Sequence, residues 1–345
     1  YNLFYTSLPV LAVGIFDQSS FAKYEMSGPD AATVLDLICA NDVTKPVGRL
    51  SYTQLLNTRG GIEADLTVAR IAEDKFYIVT GTGFRTHDFG WSADHIPSDA
   101  KVSFTDVTEE WGTLSLMGPR ARDVLSQVAK ADVSNGVFPF AQVRDIEIAG
   151  TIVRALRITY VGELGWELHV PIAAIGEVFD VLMAAGAAHG IKPIGYRALE
   201  SLRLEKGYRA WGSDITPNDT PLEAGLGFAV KMKSYADFIG RSALAAVAGQ
   251  PLKKRLVGFS AGADVVLLGR ETILRNGEPV GYLTSGGYGY TLGKAIGYGY
   301  VRHADGVSDY YLTEATYELV VAMDKVPAQV HLGPMFDPSM ARIKA

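Results

Sequence analysis

The chain has 345 residues, 48% hydrophobic and 20% charged, enough for a large core and roughly two or three domains. A net charge of −6 and a pI near 5.6 exclude an electrostatic footprint for nucleic acid or an anionic membrane surface. The single cysteine, Cys39, excludes an internal disulfide framework, fits a reducing compartment and reads as a small core residue.

In chain order, "YNLFYTSLPVLAVGIF" has neither the basic start nor the cleavage pattern of a secretory leader. It also lacks an initiator Met, so the chain reads as processed or as one piece of something longer. "GPDAATVLDLICAN" is a helix with Ala32, Leu35 and Ile38 on one face and Asp30 at its dipole-positive start. "NTRGGIEADLTVAR" is a turn and then a strand, where Ile62, Ala64, Leu66 and Val68 alternate with Glu63, Asp65 and Thr67. "DKFYIVTG" is a strand, and "GPRARDVLSQVAKAD" a helix. "TIVRALRITYVGELGWELHV" reads as two strands joined by a tight turn at Gly162 to Gly165. Trp166, Leu168 and Val170 share one face of the second strand; Glu167 and His169 share the other. "AAIGEVFDVLMAAGAAHG" is a helix capped by Gly190, its apolar run too short to cross a bilayer. "IGYRALESLRLEKG" is a helix running to Gly207. Arg197 stands near its positive end, where a cation costs roughly 0.3–1 kcal/mol, so a carboxylate partner is expected. "LAAVAGQPLKK" marks a boundary between residues 1–248 and 253–345. Beyond it, short strands separated by turns predict a small all-β barrel or sandwich. Helices and strands mix without strict alternation, which predicts α+β.

Several motifs fail on context. "GFSAG", residues 258–262, matches a nucleophile elbow but is not followed by a helix. "GGYGYTLGK" lacks phosphate-loop spacing, and the histidines show no metal-ligand spacing, so no metal is expected. No dinucleotide fingerprint for FAD is present. Three constellations remain: Asp65 with Glu63; Tyr160, Glu163 and Glu167 around the turn; and Arg197. From spacing alone, solvated strand faces and an ordinary surface arginine are the commoner explanation.

Taken in order, "FDQSSFAKYEMSGPDA", "LLNTRGGIEADLTV", "MGPRAR", "ITYVGELGWELHVP", "GYRALESLRLEKGY", "DITPNDTPLEAGLGF", "FIGRSAL" and "GEPVGYLTSGGYGYTLGKAIGYGYV" resemble the glycine-cleavage T-protein (aminomethyltransferase) family. They resemble still more the folate-binding half of dimethylglycine and sarcosine dehydrogenases and oxidases. The resemblance implies a cloverleaf, two α+β lobes and a C-terminal β-barrel around a central tetrahydrofolate channel. It places Asp65 at the reactive folate nitrogens, with Ala64 where the T-protein often has a second aspartate. It places Glu167 on the pterin, Tyr160 on the channel wall, and Arg197 beside Glu167, which would answer the dipole question. One of Tyr288 and Tyr290, read as sharing a side of an alternating strand opposite Thr291 and Gly293, is expected near the channel, the neighbouring glycines serving turn geometry.

The activity so implied is capture of the methylene of an oxidised N-methylamine as 5,10-methylenetetrahydrofolate. FAD would sit on a separate or missing module, and the partners would be that oxidoreductase and the N-methylated amine or its iminium. The compartment would be the cytoplasm, or the mitochondrial matrix in a eukaryote. The alternatives are a stand-alone aminomethyltransferase working with a lipoyl carrier, another folate-dependent demethylase, and a non-catalytic folate-binding scaffold. Retained Asp65 argues against the scaffold.

Overall fold

The computed structural model describes residues 12–234 and 236–345; residues 1–11 of the segment read for a leader lie outside them. The first lobe is organised by the "NTRGG" turn. Gly61 passes so close to the Pro217 carbonyl that any Cβ would overlap its oxygen. The turn joins strand Leu50–Leu56 to strand Ile62–Ala72 in a five-stranded antiparallel sheet. Its order is Leu50–Leu56, Ile62–Ala72, Lys75–Thr80, Ala22–Ser27, Ser103–Asp106. Ala64, Leu66 and Val68 sink into a core beneath helix Ala31–Ile38, as their alternation requires. That helix buries Ala31, Val34, Leu35 and Ile38, so its face is turned from the expected one and Ala32 is only half-buried. Asp30 does not cap it; its carboxylate instead accepts the Lys101 amide at 2.7 Å.

A six-stranded sheet forms the second lobe, in the order Lys192–Pro193, Gly14–Asp17, Trp111–Met117, Gly165–Pro171, Thr151–Leu156, Val143–Ile148. The described residues therefore start in the second lobe, build the first, and return. The expected tight turn is absent: the strand ends at Leu156 and residues 157–164 form a longer loop. Arg157 causes the departure. It is fully buried, and its guanidinium donates to Asn135 Oδ1 and to the Phe138 and Ala345 carbonyls, drawing the chain out of the ladder. Tyr160 consequently lies on a loop.

The lobes repeat one another at a constant offset. Strand Ala22–Ser27, Gly28 at φ +129° and helix Ala31–Ile38 recur as strand Trp111–Met117, Gly118 at φ +133° and helix Ala121–Val128. Lys75–Thr80 recurs as Gly165–Pro171, and the 3₁₀ turn Thr82–Phe84 as Ile172–Ala174. "GPDAATVLD" and "GPRARDVLS" carry this duplication, whose period is too long to stand out as a short repeat. Segment 172–189, with mean hydropathy 1.4, is by length and composition long and apolar enough to cross a membrane, contrary to the reading of "VFDVLMAAGAA". Here it divides into 3₁₀ turns flanking helix Ile175–Gly186, whose Val178 and Leu182 pack into the second lobe's core.

The sheets meet face to face: Leu50, Ala69, Tyr77 and Val79 of the first pack against Val143 and Leu156 of the second. After helix Tyr196–Lys206 the chain crosses back, and Ile215, Leu226, Phe238 and Leu244 pack on Leu56 and Ile62. It then forms a closed six-stranded barrel: Lys254–Ala261, Lys294–Arg302, Glu278–Gly289, Thr272–Arg275, Tyr317–Val321 and Asp324–His331, the last pairing with the first. A buried ion pair joins barrel to lobes. Arg203 and Asp214, side chains 1% exposed, meet at 2.6 Å. Asp214 also accepts Thr284 Oγ1 at 2.6 Å, Ser285 Oγ at 2.7 Å and the Ala210 amide at 3.0 Å. So many donors are what a buried carboxylate needs to stay charged.

Candidate functional site

Strand register builds the surroundings of Asp65. The turn sets Gln54 directly across from Asp65, and Gln54 Nε2 donates to Asp65 Oδ1 at 2.9 Å. Tyr52, two residues earlier, shares that face by the period of the strand. Asp65 is half-buried as a residue, but its carboxyl is deep enough that burial pushes it up to about 6; Gln54, Tyr52 and Arg209 hold it from rising further. Burial, with Asp65 beside it, carries the Tyr52 phenol well above its ordinary value, so it remains a donor. A carboxyl poised near neutrality with fixed donors can accept and return a proton.

Tyr160 joins this cluster from the loop. Its hydroxyl donates to the Arg209 carbonyl at 3.0 Å, its ring stacks on Tyr208 at 5.9 Å, and Asp65 is among the charges acting on its phenol. Phe228, 76% exposed, stacks on Tyr52 at 6.2 Å. Glu63, on the same strand face as Asp65, accepts Asn57 Nδ2 at 2.8 Å and lies 3.7 Å from His87 Nε2.

Glu167 occupies the second sheet. Trp166, Leu168 and Val170 are fully buried on one face, and Glu167 and His169 lie on the other. No described residue donates to the Glu167 carboxylate at bonding distance; its ionic neighbour is His169 Nε2 at 3.8 Å. Arg197 sits in the first turn of helix Tyr196–Lys206, exposed, and forms no ion pair with a described residue. The expected pairing of Arg197 with Glu167 is not formed. The charge of Glu167 acts on Tyr77, whereas Arg197 is exposed. Glu163 is taken by Arg342 at 2.8 Å.

In the barrel, Tyr288 and Tyr290 are half-buried and their rings meet edge to face at 5.0 Å. The strand ends at Gly289, so Tyr290, Thr291 and Gly293 form a turn rather than two sides of a strand. Glu205 of the helix accepts the Thr291 amide at 2.6 Å and the Leu292 amide at 3.3 Å. Ser201 Oγ donates to the Tyr288 carbonyl at 2.5 Å, and Gly293 takes φ +64°. Ser260 of "GFSAG" lies inside strand Lys254–Ala261, its hydroxyl 2.8 Å from His331 Nε2; there is no strand-to-helix elbow. Burial raises the Cys39 thiol to about 12, which makes it an inert core group.

A cavity of about 570 Å³ between lobes and barrel is lined by Arg209, Phe228, Tyr298 and His331 among others. A cleft of about 470 Å³ beside Asp17, Phe179 and Gly195 opens on the second lobe. Asp65 and Glu167 line neither. The first cavity reaches the Asp65 cluster indirectly, through Arg209 and through Phe228 on Tyr52. Sequence reasoning missed Tyr52, Gln54 and Arg209. The signal for the first two was polar residues two apart in "LSYTQLL", a strand hairpinned to the one carrying Asp65; Arg209, beyond the helix, gave none.

Two family models match the chain: the GCVT N-terminal domain over residues 10–234 and the glycine cleavage T-protein C-terminal barrel domain over residues 254–337. The mitochondrial sarcosine dehydrogenase of Mus musculus is 40% identical over 353 residues, covering 96% of this chain and 38% of that protein. The chain thus spans well under half the length of that relative. The aminomethyltransferase of Listeria monocytogenes is 36% identical over 285 residues, 82% of this chain and 77% of the relative. The crystal structure of glycine cleavage system aminomethyltransferase T from Bartonella henselae superimposes with a TM-score of 0.85 at 26% identity, covering 96% of this chain and 89% of that one.

Proposed function

Because this chain belongs to the glycine-cleavage T-protein (aminomethyltransferase) family, we propose that it captures the methylene of an oxidised N-methylamine, of the dimethylglycine or sarcosine type, on tetrahydrofolate. The observation that carries this reading is Asp65, a carboxyl held near 6 by burial and flanked by the fixed donors Gln54 and Tyr52.

Tetrahydrofolate supplies two nucleophilic nitrogens able to bracket one carbon. Glu167 fits its pterin edge, because a carboxylate without a bonded donor can accept a ring N–H and an exocyclic amine side by side. Asp65 takes the proton released when the first nitrogen attacks the iminium carbon. It would return that proton to the amine nitrogen as closure through the second nitrogen expels the amine, and the proton lost from the second nitrogen would pass to the released amine or to water, leaving 5,10-methylenetetrahydrofolate. Such a positioned base and acid contributes roughly 10²–10⁴ in rate, and holding both reactants together adds a proximity term. Tyr160 walls the channel, Arg197 assists at the pterin end, and one of Tyr288 and Tyr290 lies along the ligand.

The iminium comes from an FAD-dependent oxidoreductase module or subunit, a reading supported by the likeness to sarcosine dehydrogenase. The mitochondrial matrix is the favoured compartment, since that relative is named as mitochondrial. A second reading, a stand-alone aminomethyltransferase, is favoured by the match over 77% of the Listeria enzyme. Titrating the chain with tetrahydrofolate, then assaying methylenetetrahydrofolate formation with a flavin oxidase plus sarcosine or with an aminomethylated lipoyl carrier, separates the two. A chain that binds no tetrahydrofolate would end both.

A further inference from the structure

We propose that His169 is a positioning residue, holding Glu167 in the orientation that receives the pterin and tying that hold to the seating of one lobe on the other. This inference rests on the assignment of Glu167 above. His169 is fully buried, on the face it shares with Glu167. Its Nδ1 is approached by two hydroxyls: Tyr77 of the first lobe at 3.0 Å, and Thr113, its cross-strand neighbour, at 3.1 Å. Burial keeps the Tyr77 phenol protonated, so it can donate to Nδ1. With Tyr77 donating, the ring proton stands on Nε2, the tautomer that this proposal requires. Burial, helped by Lys23 and Arg154, lowers the imidazole below its ordinary value although Glu167 pulls it the other way. Nε2 then carries a hydrogen with no bonded partner, 3.8 Å from Glu167 Oε2.

An ordinary core histidine has both nitrogens satisfied, because an unmet buried donor is costly. Here the open nitrogen faces a carboxylate to which no described residue donates at bonding distance. A carboxylate has about four lone-pair sites, so Glu167 can bond a pterin edge with two and accept Nε2–H on another. A shift of under about 1 Å brings that pair to bonding distance. Tyr77 stands on strand Lys75–Thr80, the first-lobe counterpart of the strand bearing His169. The orientation of Glu167 therefore depends on the lobes being seated together.

The test uses the full chain, tetrahydrofolate titration and the transfer rate at saturating folate. His169→Phe keeps the bulk and removes the donor; about a tenfold loss of affinity is expected, with the saturated rate little changed. His169→Gln returns an N–H donor and should recover most of the affinity. In a Glu167→Gln background, His169→Phe should add little. Should His169→Phe fail to fold, Tyr77→Phe, which frees the tautomer, should weaken binding in the same direction. Parental affinity in folded His169→Phe, or the same loss with and without Glu167, overturns the proposal. If Glu167→Gln itself leaves folate affinity unchanged, the pterin assignment has failed; if that variant binds weakly while His169 is silent, only the present inference falls.

Discussion

Asp65 owes its raised pKa to depth, since burial outweighs the donors and the cation that favour its charge. Its folded value near 6 lies above the ordinary 3.8, so its contribution to stability is fully present below about pH 4 and is lost as pH rises through 6. Asp65→Asn, which keeps the shape but cannot take the proton, should retain folate binding and lose transfer by roughly 10²–10⁴. The same variant should melt higher than the parent at pH 7 and alike at pH 4, while parental transfer should climb with pH through about 6. An Asn variant with undiminished turnover would remove Asp65 from the chemistry. Glu167→Gln replaces a charged acceptor and should weaken tetrahydrofolate binding by about 1.5–3 kcal/mol. Arg197→Ala should weaken it less, because the arginine is exposed and meets no described carboxylate. If calorimetry finds both variants binding like the parent, the pterin lies elsewhere.

At the scale of elements, legibility followed periodicity. The strand bearing Asp65 was readable because every second residue is apolar and the glycine turn fixes where it starts. The strand after Thr151 was drawn too long because "RALRITY" keeps a strand's composition, while a buried guanidinium with partners far along the chain ends it at Leu156. The cation at the start of Tyr196–Lys206 was readable, but its lack of a partner was not, since that depends on which way two elements face. The turn after Gly289 was misread for a similar reason: its amides are held by Glu205, a residue of another element. Tyr288→Ala and Tyr290→Ala decide what the turn serves. Lower folate affinity in at least one is expected; unchanged affinity in both, with reduced thermal stability, would make the segment structural.

For the whole molecule, mixed α and β and a small all-β barrel or sandwich followed from pattern, the two lobes and the choice of a barrel from the family resemblance, and the structure has them. The duplication and the fastening of barrel to lobes did not, since each needs positions far apart in sequence to be compared. Arg203, Asp214, Thr284 and Ser285 lie in "LRLEKG", "DIT" and "TSGG", three stretches that spacing alone does not connect. Asp214→Ala leaves the buried Arg203 with Glu200 as its remaining carboxylate and removes the acceptor of Thr284 and Ser285, and should cost about 2–4 kcal/mol. Urea unfolding followed by tryptophan fluorescence checks this; a loss under about 1 kcal/mol would show that the joint bears little.

The first strand of the second lobe is made long before its lobe. Gly14–Asp17 pairs with Trp111–Met117 and with Lys192–Pro193, all synthesised after the first lobe. A nascent chain halted before residue 111 therefore carries a finished set of first-lobe strands and, ahead of them, a short apolar ribbon whose described partner strands are not yet made. Bare edges recruit other strands, so this interval of synthesis is the one most in need of a chaperone. Ribosome-bound chains arrested near residue 108 should crosslink to a holdase through positions 14–17, and chains arrested near residue 230 should not. Equal crosslinking at both lengths would mean that the ribbon finds shelter some other way.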